Sequence, residues 1–139
     1  MEFECCPRDM QLERFEPHDK FYLLPWIRDL KYHFPFLGDL EEQHPYRAFY
    51  LLWKLSWISG RAHADCSLSF ENLVQHPETE LRRLFDVVRV DTDPASVRQL
   101  IQKPALGKWI RYADDEWFRQ HESACETTLT DFFRPLAAR

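Results

Sequence analysis

The chain has 139 residues, 45% of them apolar and 29% charged, with a formal net charge of −5 at neutral pH. That length suits one domain, and its 15% aromatic share is too high for a disordered chain. The acidic balance argues against a generic nucleic-acid binder, which usually needs a basic face. Only three glycines occur, Gly38, Gly60 and Gly107, too far apart to build a glycine-rich phosphate loop.

Residues 1–20 are polar, broken by Pro7 and Pro17, and read as an irregular lead-in. Phe21 to Leu24 is a short apolar run that Pro25 interrupts. Apolar residues at 26, 27, 30 and 34 then predict a helix that Pro35 ends. Pro45 opens the strongest helix, because its missing N–H has no partner in a first turn anyway. Tyr46, Phe49, Tyr50, Trp53 and Trp57 form one stripe on it, and Leu51, Leu52, Leu55 and Ile58 cover much of the rest. A helix apolar nearly all round is expected to be buried.

Cys66-Ser67-Leu68-Ser69-Phe70 alternates with period two and predicts a strand, with Glu71 to His76 as the turn after it. Pro77 starts a helix with Leu81, Leu84, Phe85 and Val88 as its buried face. Asp93-Pro94 caps and opens a short helix. Lys103 to Trp109 is a loop by composition. Asp114-Asp115 begins the last helix, with Phe118, Cys125, Leu129 and Phe132 on one face and Pro135 as its end.

Chemistry-bearing patterns are sparse. His121-Glu122 continues into Ser123-Ala124-Cys125, so no zinc-protease motif forms. None of the four cysteines makes a C-x-x-C pair, and no metal site is expected. Cys66 and Cys125 read as buried thiols in a reducing, cytoplasmic setting. No apolar run approaches the roughly 20 residues that span a bilayer, and the acidic N-terminus shows no signal peptide.

One ordered set of matches rises above this. Ser67 to Leu84, with Phe70-Glu71-Asn72-Leu73-Val74 and Pro77 at its centre, resembles the YEDLV-x-x-P-x-x-x-L-x-x-L stretch of sulfotransferases. Those enzymes move a sulfonate group from 3′-phosphoadenylyl sulfate (PAPS) to a hydroxyl or amine. Leu106-Gly107-Lys108-Trp109 resembles that family's late Gly-Lys-Trp loop, and the helix from Pro45 resembles the one before its motif.

The resemblance covers roughly residues 45–133 and implies a helix-rich α/β fold with few strands, the C-terminal part of a P-loop-type three-layer sulfotransferase fold. Residues 21–139 would then be one sulfotransferase-like partial domain. It implies that Phe70 meets the adenine of PAPS or adenosine 3′,5′-bisphosphate. Lys103, Gly107, Lys108 and Trp109 would form a loop for its 3′-phosphate. Glu71 would anchor the turn, and Trp26, Tyr32 and Phe34 would wall a small-molecule or carbohydrate acceptor. The family's P-loop has no counterpart. Cys6-Pro7-Arg8-Asp9-Met10 aligns poorly with its Arg-x-Pro-Arg-Asp strand end, and no catalytic base carries over. The truncated domain is therefore expected to be inactive alone and to self-associate through an exposed sheet edge, with no nucleic-acid or membrane partner. The alternative is a non-catalytic helical interaction module or a degenerate fragment.

Overall fold

The computed structural model describes residues 6–101 and 107–134, with Lys108 described in its backbone only. Among the described residues there are six α-helices and no strand: α1 Leu23–Leu30, α2 Pro45–His63, α3 Phe70–Gln75, α4 Pro77–Val88, α5 Pro94–Arg98 and α6 Asp115–Phe133. Short 3-10 turns cover Leu12–Arg14, Glu16–His18, Pro35–Asp39 and Lys108–Arg111. The chain divides into two compact units, Met1–Trp57 with Lys108–Arg139, and Ile58–Gly107.

The α/β expectation is overturned, and with it the three-layer sheet and its exposed edge. Residues 66–69 have no ladder partner, and Leu68 and Phe70 are exposed. The reason is local. Ser69 sits in the extended region as the N-cap of α3, and its Oγ accepts the Asn72 N–H at 3.3 Å. Helix α3 therefore occupies the expected turn. Alternation describes one face of a strand, but a strand exists only where another strand satisfies its backbone.

In the first unit, α1 begins at Leu23 rather than after Pro25. Asp19 accepts the N–H groups of Leu23 and Leu24 at 2.8 Å each, and Pro25 falls in the first turn, where its missing donor costs nothing. The helix ends at Leu30, and Pro35 opens the 3-10 turn that buries Leu37. Helix α2 starts at Pro45 as expected. Its buried arc is Pro45, Ala48, Leu51, Leu52 and Leu55, while Phe49, Trp53 and Trp57 are exposed and Tyr46 and Tyr50 half-buried. The expected burial of the aromatic stripe is thus reversed. The aliphatic arc fills the core, and the half-buried tyrosines reach across to carboxylates of α6 with their hydroxyls.

Helix α6 begins where Asp114 accepts the Trp117 N–H at 2.9 Å, and it buries Phe118, Cys125 and Leu129. Phe132 is half-buried, with its ring 5.2 Å from Phe36 and 5.8 Å from Phe34. Pro135, the expected end of this helix, lies outside the described residues. Leu12 and Phe15, from the turns before α1, join α1, α2 and α6 in one core that also holds Leu37, Leu40 and Cys6. Leu12 and Glu13 donate N–H bonds to the carbonyls of Gln43 (2.9 Å) and Glu41 (3.1 Å).

In the second unit, α4 starts at Pro77 and α5 at Pro94, where Asp93 caps Ala95 N–H at 3.0 Å. Leu81 is buried, Leu84 and Phe85 are half-buried, and Val88 is exposed. Arg98 joins Glu78 at 2.6 Å, tying α5 to α4. Cys66 is half-buried here, whereas Cys125 in the first unit is buried as expected.

Candidate functional site

Helices α2 and α6 are bridged by a ladder of side chains. The Tyr46 hydroxyl donates to Glu122 at 2.6 Å, and the Tyr50 hydroxyl donates to Glu126 at 2.6 Å. Arg47 Nε donates to His121 Nδ1 at 2.9 Å, and Cys125 Sγ lies 3.7 Å from the Arg47 carbonyl. The pairs advance one turn on both helices in the same sense. A helix places residues four apart on one face, so tyrosines at 46 and 50 meet glutamates at 122 and 126.

Burial, then the neighbouring carboxylate, raises the pKa of both Tyr46 and Tyr50, so both stay protonated donors. Lys54 and then Tyr50 hold Glu126 below the usual carboxylate range.

A second cluster sits at the N-terminal end of the pair. His44 is the cap of α2, and its Nδ1 accepts the Tyr46 N–H at 3.1 Å. An imidazole nitrogen that accepts has no proton, so His44 is neutral and its proton is on Nε2. That nitrogen lies 3.1 Å from the Pro7 carbonyl, 3.0 Å from the Tyr112 hydroxyl and 3.8 Å from Cys6 Sγ. His121 is neutral by the same logic, because Arg47 is always a donor. Burial lowers the pKa of both, His121 to about 4, with the Arg47 charge pushing the same way. Burial raises the Cys6 thiol. Trp117 closes the cluster, its ring 4.2 Å from His121 and 5.0 Å from His44. Both Nδ1 lone pairs are committed and the thiol is held protonated. Through these groups the start of α2 is tied to the Pro7 carbonyl, to Tyr112 and to the first half of α6.

Beside the ladder lies a groove of about 580 Å³, lined by Tyr46, Phe49, Trp109, Asp115, Phe118, Arg119 and Glu122. Phe118 stands perpendicular to Trp109 at 5.3 Å and edge-on to Tyr46 at 5.2 Å. Arg119 turns toward its own helix, with Nη2 3.0 Å from Glu116 and Nε bonded to the Asp115 carbonyl.

Of the residues singled out from sequence, Trp109 is the one that lines this groove. Phe70 opens α3 in the second unit, 55% exposed, and no strand end places it at a ligand crevice. Glu71 accepts from the Ser69 hydroxyl at 3.1 Å rather than from backbone N–H groups. Gly107 has φ 76°, the left-handed backbone that favours glycine. Lys108 opens the 3-10 turn, and Lys103 lies outside the described residues. Trp26 and Tyr32 are exposed, while Phe34 packs against Phe36 and Phe132. Nothing in the local sequence marks Tyr46, Phe49, Phe118 and Glu122 as a site. The signal it does carry is the matched four-residue spacing of Tyr46 and Tyr50 with Glu122 and Glu126.

Among the described residues, no group of three His, Cys, Asp or Glu is placed to hold a metal ion, and no helix is long and apolar enough to cross a membrane. No protein-family model, no curated protein and no solved structure matches the chain.

Proposed function

We propose that this chain is a non-catalytic binding module that holds a segment of a partner protein in the groove beside the first turns of α2 and α6. The observation that carries this reading is the wall of four aromatic rings, Tyr46, Phe49, Trp109 and Phe118, around about 580 Å³. A concave, mostly aromatic space with a few charged groups at its rim is the usual form of a binding site. The committed lone pairs of His44 and His121 favour holding over chemistry.

The test is a random-peptide library displayed on phage and panned against the chain. Bound families are re-assayed on Phe49→Ala and Trp109→Ala. Both side chains are close to half exposed, at 43% and 46%, so their removal should leave the fold intact. At least one family should bind the chain and lose about tenfold or more on both variants. No binders, or binders indifferent to both substitutions, would reject the groove.

A second reading keeps the sulfotransferase resemblance. Its support is that Trp109, from the Gly-Lys-Trp segment, lines the groove and offers an adenine ring a stacking face. Under it, adenosine 3′,5′-bisphosphate raises the melting temperature of the chain. The rise disappears in both Trp109→Ala and Lys108→Ala. Absence of any shift at millimolar nucleotide removes this reading.

A further inference from the structure

The ladder between α2 and α6 has two successive steps, and the chain fills one of them itself. At the Tyr50–Glu126 step, Lys54 Nζ lies 2.5 Å from Glu126 Oε1. The same ammonium sits 5.7 Å from the Tyr50 ring, 5.7 Å from Trp53 and 5.5 Å from Trp57. A cation against aromatic faces, closed by a carboxylate, is a stable pairing because ring quadrupole and carboxylate attract it together. Lys54 stands four residues after Tyr50, one turn along α2.

One turn earlier, the Tyr46–Glu122 step repeats the tyrosine–carboxylate bond at the same 2.6 Å. Aromatic walls recur there as Phe49, Trp109 and Phe118, and Asp115 adds a second carboxylate. The residue four places after Tyr46 is Tyr50, so α2 brings a ring to that position instead of an ammonium. Arg119 also lines the groove, but its guanidinium is bonded to Glu116 and to the Asp115 carbonyl on its own helix.

We infer that the groove takes a lysine side chain of the partner segment, the external counterpart of Lys54. This rests on the reading of the groove as a docking site. A purely apolar side chain would satisfy the rings but would cover the Asp115 carboxylate, and the Glu122 oxygen that Tyr46 does not bond, without pairing them, which is costly. An acidic one would meet like charge. A lysine stem lies along the rings while its ammonium reaches the carboxylates, and its four-carbon stem suits a groove better than a short cation would.

The test uses the peptides that the display experiment selects. Each lysine in a selected peptide is replaced in turn by norleucine, which keeps the stem and removes the charge. One such replacement should weaken binding about tenfold, the scale of a partly desolvated cation–π and ion-pair contact. Binding of the parent peptide should also fall as salt is raised and weaken several-fold on Glu122→Gln. The glutamine still accepts from Tyr46, and the norleucine exchange leaves the protein untouched. Selected families that lack lysine, or that keep their affinity within twofold through every norleucine exchange, would overturn the lysine assignment. Such peptides would still lose affinity on Phe49→Ala and Trp109→Ala if the groove binds them. The loss of this inference is therefore distinct from the loss of the docking reading.

Discussion

The two units reach helical structure by different means. The first is organised by a core. Leu51 and Leu37 are fully buried, and residues from before α1 through α6 close around them. The second is organised by caps and surface pairs: Ser69 before α3, Pro77 opening α4, Asp93-Pro94 before α5, and the Glu78–Arg98 ion pair. Among its described residues, Val74 and Leu81 are the ones that are buried. Caps and exposed ion pairs contribute about 1 kcal/mol or less each, whereas a buried leucine contributes several. The contrast separates what local sequence can do, which is start helices, from what long-range aliphatic packing must do, which is hold them.

The largest test of that contrast is a pair of truncations. Leu51→Ala, at a position 1% exposed, should cost about 3 kcal/mol in urea unfolding and lower protection of core amides throughout the first unit. Leu81→Ala should lower hydrogen-exchange protection in α3 and α4 and leave the amides of α6 and of α2 before Ile58 as they were. If the α4 amides of the unaltered chain exchange as slowly as those of α2, the contrast between the units fails.

Acid should distinguish the units next. His121 has a folded pKa of about 4 against an ordinary value of 6.5. Between those values the unfolded chain binds more protons than the folded one, so stability falls as pH drops through that window and levels off below it. His44 is lowered as well and adds in the same direction. The loss from His121 alone should be about 2 kcal/mol, because a tenfold change in proton affinity is worth about 1.4 kcal/mol and water screens part of it. Urea midpoints from pH 7 to pH 4 measure it. His121→Gln keeps an acceptor for Arg47 and does not titrate, so it should flatten part of the slope. An unchanged slope would place the acid sensitivity elsewhere.

Much of the helical outline was legible in the residues. Pro45, Pro77, Asp93-Pro94 and Asp114-Asp115 each begin a helix where their side chains lead one to expect it, because capping acts within a few residues. The Cys66–Phe70 alternation misled. Nothing within five residues reveals whether a partner strand exists, while the Ser69 cap does act locally. Helix α2 misled differently. Apolar residues cover it nearly all round, so the pattern leaves open which arc faces inward. The outcome depends on long-range packing, including the bonds of Tyr46 and Tyr50 to Glu122 and Glu126, 76 residues away. The groove beside α2 was not legible, since its lining is assembled from residues of α2 and α6 far apart in sequence, and Trp109 lines it as part of the turn before α6.

The smallest effects sharpen the comparison most finely, because the same chemical change can be made in each unit. Asp114→Ala and Asp93→Ala each remove a carboxylate that accepts a first-turn N–H, at 2.9 and 3.0 Å. Each should cost about 1 kcal/mol if the helix it caps is retained. Helix α6 is retained, because Cys125 and Leu129 anchor it in the core, so Asp114→Ala should lower the urea midpoint and leave far-ultraviolet circular dichroism unchanged. Helix α5 has five residues and none is buried, so the cap is a large part of what defines it. Asp93→Ala should therefore erase α5 amide protection while barely moving the midpoint of the first unit. Arg98→Ala, which breaks an exposed ion pair, should cost under about 0.5 kcal/mol and act on the second unit alone. Equal loss of local protection around Asp114 and Asp93 would mean that the core does not hold α6, and the distinction between a packed unit and a capped one would collapse.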